Sequence, residues 1–528
     1  RNKTVMRQPA RPNVQKQRTS RAISVPSPTG GLNTRDSISN MPPTDAVILN
    51  NWIPDTDTCT LRRGFKVHVS ALNGGVESIM EWAGPLGTNK LFAACASSNS
   101  VYNVSGTASA VSAIAGSGLS NSRWQHLMFG TGGKNFLVMC NGEDAVRNYD
   151  GSAFTTPDIT GSGLSSSDTF VQVSENKERL FFVESSSTSV WYLNVNSIAG
   201  EAFEFDYAPL MNKGGFVQAC ATWTLDGGNG LDDYFVVLTS EGQAIVYAGT
   251  NPSNASEWAL QGVFEIGAPV GRRCFFKIGA DLIVITDDGF VALSKALLTG
   301  RTAQQEAISD KVRTTVRGYT EDHRSKFGWQ PILYPKRGLG IFNVPLDEGS
   351  DFESYQLVIN TFNGSWCQFT SVNAAVWSLY DQQLYFGNKD GAIMHFDSTT
   401  ADDGNTIMGD GQPAFNNMGI PGVNKQFHQA RVHLSTSGRV TPAIEVVTDY
   451  AEKIPTNVPT FSFSGAVWDE AAWDTELWQD VNVPELQRDW FAVNGVGFVG
   501  TIRMRVTTND RGVTWNQVDY MIEPIGMI

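Results

Sequence analysis

The sequence predicts a mostly β protein in which a β-propeller is inserted into a second β-rich platform domain built from both chain ends. Three observations support this fold class. Short apolar stretches joined by polar turns repeat along the middle of the chain. The composition has 51 glycines, and only 17% of the residues are charged. Additional strand-like stretches precede and follow the repeated units, and they need a sheet of their own.

Seven pairs of apolar stretches, each pair joined by a polar turn, lie between residues 90 and 400. Gly, Asn and Asp tolerate the backbone of tight hairpin turns, and aromatic and β-branched residues fill a half-buried strand face. Successive pairs begin 43 to 58 residues apart when they are anchored on Phe92, Phe136, Phe181, Phe235, Ile283, Ile341 and Leu384. This period is typical of four-stranded propeller blades. Because distant strands can close the ring, the pattern leaves both six and seven blades open.

The pattern outside the repeat defines the expected domain limits. Residues 1–30 form a basic arm, 31–69 supply the first platform strands, 70–407 form the propeller and 408–528 complete the platform. AVILNNWI and CTLRRGFKVHV are strand-like before the repeat, as are QARVHLSTS and AIEVVTDY after it. Within 299–328, Ile308, Val312 and Val316 recur at helical spacing, so a helix is expected to interrupt the strands.

The basic arm contrasts with the rest of the chain. No acidic residue occurs before Asp36, although the net charge of the protein is −14. One interpretation is a solvated tail, since this composition cannot bury a core. The other is an arm that becomes ordered on an acidic partner surface. Under the second interpretation, the candidate partner-binding residues are Arg7, Arg11, Lys16, Arg18 and Arg21.

Motifs that carry catalysis or bind metals are hard to find. The six histidines are scattered, and no P-loop, GxSxG elbow or HExxH motif occurs. The acidic turns at 226–233 and at Asp402 and Asp403 do not follow the spacing of an EF-hand. We therefore predict no enzymatic activity, no catalytic residues, no metal site and no cofactor. The negative charge also argues against a protein that coats nucleic acid.

Cysteine usage and hydropathy indicate where the protein is made. The six cysteines are far apart, contain no CxxC pair and mostly lie in apolar stretches, so we expect buried free thiols from a reducing compartment. The sequence contains no run of about 18 apolar residues, so it predicts no membrane-spanning helix. The chain opens at Arg1 without a signal-peptide core, and synthesis in a cytoplasm is expected.

Two local motifs have structural interpretations. TTNDRGVTW at 507–515 resembles the Asp-box of sialidases, with Thr508, Asp510 and Trp515 at matching positions. In that motif the acid accepts backbone hydrogen bonds in a turn and the indole packs beneath it, so it marks a hairpin and not a catalytic site. Trp468, Trp473 and Trp478 recur at a spacing of five, which matches neither a helix nor a strand. We expect a loop whose indoles pin it to the platform or to a neighbouring subunit.

The segment 28–69 resembles the start of tail proteins from short-tailed bacteriophages. The matching features are GGLN, then MPP with an AVILN strand, and then an RRG-aromatic strand. The Trp-rich loop at 468–478 and the strand-rich end are also similar to that family. The resemblance implies a structural virion protein, namely the tail hub or nozzle of a podovirus. This hub is a homohexameric ring that conducts DNA during genome ejection.

The same resemblance implies the partners. They are other copies of the chain, the portal and adaptor proteins, tail fibres or spikes, the passing viral DNA without specific binding, and the host envelope. The location would be the virion tail, after synthesis in the host cytoplasm. An alternative is a propeller-type tail protein that binds or hydrolyses glycans. A cleft with paired carboxylates about 5 to 9.5 Å apart would favour the hydrolase.

Overall fold

The computed structural model describes residues 20–107, 113–115, 118–226, 231–295, 307–347, 353–456 and 485–526. Six strands precede the repeated units, and Gly and Pro residues separate several of them. They are β1 (Arg21–Pro26), β2 (Gly31–Leu32), β3 (Asp45–Asn50), β4 (Trp52–Pro54), β5 (Cys59–Leu61) and β6 (Gly64–Val69).

The first three repeated units each form a four-stranded antiparallel sheet. The first sheet contains β7 (Val76–Trp82), β8 (Lys90–Cys95), β9 (Ser100–Asn103) and β10 (Ala113–Ala115). The second contains β11 (Gln125–Thr131), β12 (Lys134–Cys140), β13 (Arg147–Tyr149) and β14 (Phe154–Thr155). The region of the third contains β15 (Ile159–Thr160), β16 (Phe170–Asn176), β17 (Arg179–Glu184), β18 (Ser189–Tyr192), β19 (Gly200–Glu201) and β20 (Phe203–Asp206). Strands β15 and β19 form a separate short parallel pair.

The remaining units follow the same meander. The fourth sheet contains β21 (Val217–Asp226), β22 (Leu231–Thr239), β23 (Gln243–Gly249) and β24 (Trp258–Glu265). The fifth contains β25 (Phe275–Ile278), β26 (Asp281–Thr286) and β27 (Gly289–Ala292). Helix α1 (Arg313–His323) is followed by a meander of β28 (Gln330–Tyr334), β29 (Leu339–Pro345), β30 (Ser354–Asn360) and β31 (Trp366–Phe369). The last unit contains β32 (Val376–Tyr380), β33 (Gln383–Gly387) and β34 (Ile393–Thr399).

The C-terminal strands combine with the N-terminal ones into two platform sheets. They are β35 (Ile407–Pro413), β36 (Asn424–Thr436), β37 (Ala443–Thr448), β38 (Glu485–Gln487), β39 (Trp490–Gly497), β40 (Gly500–Thr508) and β41 (Val513–Gly526). One sheet has the order β28-β29-β30-β31-β3-β35-β40-β37, with β2 beside β3. The other has the order β38-β36-β41-β5-β4, with β1 on β41 and β39 on β36. Both chain ends therefore build the platform, and the predicted fold class is confirmed.

Six separate sheets have the arrangement of propeller blades, although the sequence shows seven hairpins. The difference arises at the hairpin around Ile341, because strands β28 to β31 belong to the nine-stranded platform sheet. Strand β28 of that meander nevertheless joins the ring, because its residues Gln330 and Pro331 line the central cavity. The other residues that line this cavity come from the first strands of the six blades or directly precede them, namely β7, β11, β16, β21, β25 and β32. The platform sheet thus occupies a position between the fifth and the last blade.

Strand β6 closes the ring. It lies within the segment 31–69 and pairs antiparallel with β34, so the last blade takes its outer strand from the N-terminal part of the chain. The rings of His68 on β6 and His395 on β34 contact Tyr385 on β33, at centroid distances of 4.9 and 4.7 Å. Burial lowers the pKa of both histidines, and nearby Lys66 lowers them further. The closing strand is therefore packed through neutral imidazoles.

This closure should weaken in acid. A histidine whose pKa is lowered in the folded state binds fewer protons than it does in the unfolded chain, so stability is lost as the pH falls below the ordinary value of about 6.5. We expect the free energy of unfolding to decrease from pH 7 to pH 5. Replacing both residues, His68→Gln and His395→Gln, should reduce this slope in urea titrations at each pH. An unchanged slope in the double variant would show that other groups cause the loss.

The helix and the cysteines agree with their predictions. Helix α1 contains Val316, which is buried together with Val312 just before it, in a core that the platform shares with the fifth and last blades. All six cysteines are buried and free. Burial raises the pKa of the thiols, to about 12 for Cys59 and Cys95. Within the described residues, no helix has the length and apolar character needed to cross a membrane.

Candidate interaction surfaces

The predicted partner-binding residues are described in part. Arg7, Arg11, Lys16 and Arg18 lie outside the described residues, as do the tryptophans at 468, 473 and 478. Arg21 is exposed and begins β1, which pairs antiparallel with β41 so that Arg21 lies opposite Ile522. The base of the basic arm is therefore attached to the C-terminal strand of the platform.

A charged cluster lies beside this attachment. The buried carboxylate of Asp519 on β41 accepts hydrogen bonds from Ser24 Oγ at 2.6 Å, Arg431 Nε at 2.9 Å and His433 Nε2 at 2.8 Å. Burial alone would raise the pKa of Asp519, but these three donors together hold it below the ordinary value. The Arg431 guanidinium also lies 4.5 Å from the ring centroid of Trp490. Because Ser24 belongs to β1, this network fixes the arm's base to the strands β36 and β41.

The acidic turns have structural partners. Asp402 is buried and forms an ion pair with Arg62, at 2.6 Å between Nη2 and Oδ2. Asp233 pairs with Lys177 at 3.1 Å, while residues 227–230 of that turn lie outside the described part. In the parts of the chain that the structure describes, no group of three His, Cys, Asp or Glu residues is arranged to hold a metal ion.

The Asp-box segment forms the turn between β40 and β41, which lie in the two different platform sheets. The backbone N–H of Arg511 donates to the hydroxyl of Thr508 at 3.2 Å, and that hydroxyl lies 3.3 Å from Asp510 Oδ1. Trp515 is fully buried and its ring meets that of Trp52 edge-on, with 5.8 Å between centroids. The predicted turn and buried indole are present, but the expected hairpin is not, because β40 and β41 pair with other strands. The backbone N–H bond goes to Thr508 rather than to Asp510.

The central cavity of the propeller has a volume of about 380 Å³. Polar side chains near the start of the inner strands connect several pairs of neighbouring sheets. Gln172 exchanges two hydrogen bonds with the backbone of Cys220, at 2.8 and 2.7 Å. Equivalent ties run from Ser78 to Ser122, from Gln218 to Gly271 and from Gln330 to Trp377. These side chains already form hydrogen bonds between neighbouring sheets, so those bonds would have to break before the same groups could bind a ligand.

Two adjacent arginines at this cavity were not identified by the sequence analysis. Arg272 and Arg273 precede β25 and line the cavity together with His126, Glu175 and Lys277. Of the described residues that line it, Glu175 alone carries a carboxylate. The sequence did contain a signal for them, namely the two arginines in GRRC directly before the apolar strand FFKI. Residues at the start of an inner strand lie near the axis of a propeller.

The comparisons with known proteins show similarity to propellers. No family model and no curated protein matches the chain. The WD40 β-propeller domain of Doa1 matches with a TM-score of 0.39 and 10% identity, covering 63% of this chain and 97% of that one. BBS1N in complex with ARL6DN gives 0.39 and 12%, covering 65% and 99%. YCF48 from Cyanidioschyzon merolae gives 0.32 and 11%, covering 63% and 98%.

Proposed function

We propose that the protein is a structural subunit of the tail hub, or nozzle, of a short-tailed bacteriophage. In this proposal six copies form a ring that conducts DNA, and the ring joins the adaptor to the tail fibres or spikes. The observation that supports it is the position of the segment 28–69, on which the sequence resemblance rests. This segment runs from the platform to the closing blade, so the resemblance concerns the joint between the two parts and not a generic propeller.

Four residues of the matching motifs are buried in the platform or at this joint. Gly31 has a φ of 83°, and a Cβ there would lie 2.6 Å from the backbone nitrogen of Trp366. Asn33, from the same GGLN motif, donates to Asp45 at 2.7 Å. Arg62, from the RRG motif, pairs with Asp402 across the joint. A side chain on Gly64 would clash with the carbonyl of Ala401. Gly31 and Asn33 therefore have steric and hydrogen-bonding roles within the platform sheet, whereas Arg62 and Gly64 contact the segment that follows the last blade.

The proposal is tested by the size of the assembly. Analytical ultracentrifugation and negative-stain microscopy of the purified chain, alone and mixed with virion neck proteins, should detect a ring of six 57.5 kDa subunits. A chain that remains monomeric in both conditions would contradict the ring. Turnover of a capsular glycan that is lost on mutation of a single carboxylate would instead establish the glycan-hydrolase alternative.

The role of the basic arm needs a separate test at constant chain length. We expect the quadruple variant with Gln at Arg7, Arg11, Lys16 and Arg18 to fold normally and to dock more weakly on neck proteins. Docking of the unaltered chain should also weaken with salt, since exposed charges are screened over about 8 Å at physiological ionic strength. The matched control carries Gln at four exposed cations elsewhere, namely Lys134, Arg313, Arg317 and Arg439. Equal docking by the two variants would indicate that the arm is a solvated tail without a role in docking.

A further inference from the structure

The guanidinium of Arg273 extends across the central cavity, and among the described residues it hydrogen-bonds to no carboxylate. Its Nη2 donates to the carbonyl of Glu77 at 3.1 Å, to Ser78 Oγ at 2.9 Å and to the carbonyl of Trp124 at 3.0 Å. These acceptors are neutral and lie on the first and second sheets, whereas Arg273 precedes the fifth. Its Nη1 is buried and has no hydrogen-bond partner among the described residues.

The neighbouring charges compensate Arg273 only in part. Burial is the main reason that the pKa of Arg273 is lowered to about 10; the carboxylate of Glu77 raises this pKa, and the cations Arg272 and Arg123 lower it. The nearby carboxylate of Glu77 is already engaged, because it accepts from Ser122 Oγ at 2.5 Å and from Arg123 Nε at 3.2 Å. Removing a charge from water costs free energy, and a carboxylate that is shared with other donors offsets this cost only in part. An anion in the cavity would remove much of this cost.

We propose that the arginine end of the central cavity binds a small oxyanion, with a phosphate or carboxylate group held by Arg272 and Arg273. The guanidinium group presents a planar set of N–H donors that matches two oxygens of such a group. Arg272 is available because it is exposed, and with the described residues its side chain makes one hydrogen bond, from Nη1 to the carbonyl of Asn141 at 3.2 Å. The anion site lies at the arginine end of the cavity, since the carboxylate of Glu175 would repel an anion at the opposite end.

The size of the cavity favours a small molecule over a macromolecule. Its volume of about 380 Å³ is near the lower end of ligand pockets, which span roughly 300 to 1,000 Å³. His126 faces the same space, and the surrounding protein and Arg273 lower the pKa of its imidazole. A bound anion would offset the charge of Arg273, so the pKa of His126 should rise on binding. This site is independent of the ring proposed above.

The test is calorimetric titration of the full chain with inorganic phosphate and with citrate, at an ionic strength held constant with sodium chloride. We expect saturable binding of one equivalent, and the stronger of the two probes identifies phosphate or carboxylate chemistry. Arg272→Gln and Arg273→Gln should each weaken binding by at least about tenfold, since each removes charge-assisted hydrogen bonds. Arg439→Gln, which removes an exposed charge on the platform, should bind as the unaltered chain does.

Two controls keep the result decisive. Arg273→Gln also removes the bonds across the cavity, so a loss of folding there is possible, but Arg272→Gln deletes a single bond from an exposed side chain and must fold. A histidine NMR titration with and without phosphate gives the second readout, namely an increase in the pKa of His126. Heat that sodium chloride reproduces, or binding that Arg272→Gln leaves unchanged, would overturn the proposal.

Discussion

Arg62→Ala should lower the free energy of unfolding by about 3–5 kcal/mol, the range for breaking one partner of a buried ion pair. The side chain of Arg62 is 1% exposed. Its Nη1 and Nη2 donate to the two oxygens of Asp402 at 2.8 and 2.6 Å, and its Nε donates to Asn51 Oδ1 at 2.8 Å. Truncation leaves a buried carboxylate without its counter-charge at the joint between the platform and the last blade.

Urea unfolding followed by tryptophan fluorescence measures this loss. The matched control is Arg63→Ala, whose side chain is 46% exposed and lies 4.0 Å from Asp397, so its expected cost is below about 1 kcal/mol. The double variant Arg62→Met with Asp402→Leu should recover much of the loss, because well-packed apolar residues replace buried pairs at little cost. Similar stabilities for Arg62→Ala and Arg63→Ala would mean that the ion pair does not hold the joint.

The sequence predicted the propeller because its hairpins are local. A turn and its two strands lie within about twenty residues, so apolar alternation and turn residues identify them directly. The hairpin around Ile341 was found in this way as well. What the pattern could not show is that its sheet continues into β3 and the platform, because that continuation depends on a pairing between distant segments. Local periodicity does not record such pairings.

The cavity was missed for the same physical reason. Arg273 meets Ser78, 195 positions away, and Arg62 meets Asp402, 340 positions away. Neither separation produces a motif with fixed spacing. The predicted domain limits assigned β6 to the platform, whereas the structure pairs it with β34 of the last blade. The sequence GFKVHV is that of an ordinary edge strand and does not identify this partner. Turn residues in the sequence therefore predict the blades. The closing strand and the contacts at the propeller axis join distant residues and become visible only in the folded structure.

Trp515→Ala should cost about 3–5 kcal/mol of unfolding free energy, the range for truncating a buried Trp. Trp515 and Trp52 are both fully buried, and they come from opposite ends of the chain. The backbone at Gly411 approaches the Trp515 ring so closely that a Cβ there would lie 2.7 Å from it. Backbone held this close to the ring leaves little room for the site to collapse, so the variant would retain a cavity in the platform.

Trp515→Phe separates the packing contribution from any polar one. The indole Nε1 of Trp515 is buried without a hydrogen-bond partner among the described residues, so its removal breaks no hydrogen bond. We expect Phe to cost clearly less than Ala, and the control Trp490→Ala, at a residue that is 36% exposed, to cost less still. Denaturant midpoints at one pH give the order. If Trp515→Ala proved as stable as Trp490→Ala, the Asp-box tryptophan would not be what joins the two chain ends, and the platform would depend on its strand pairing instead.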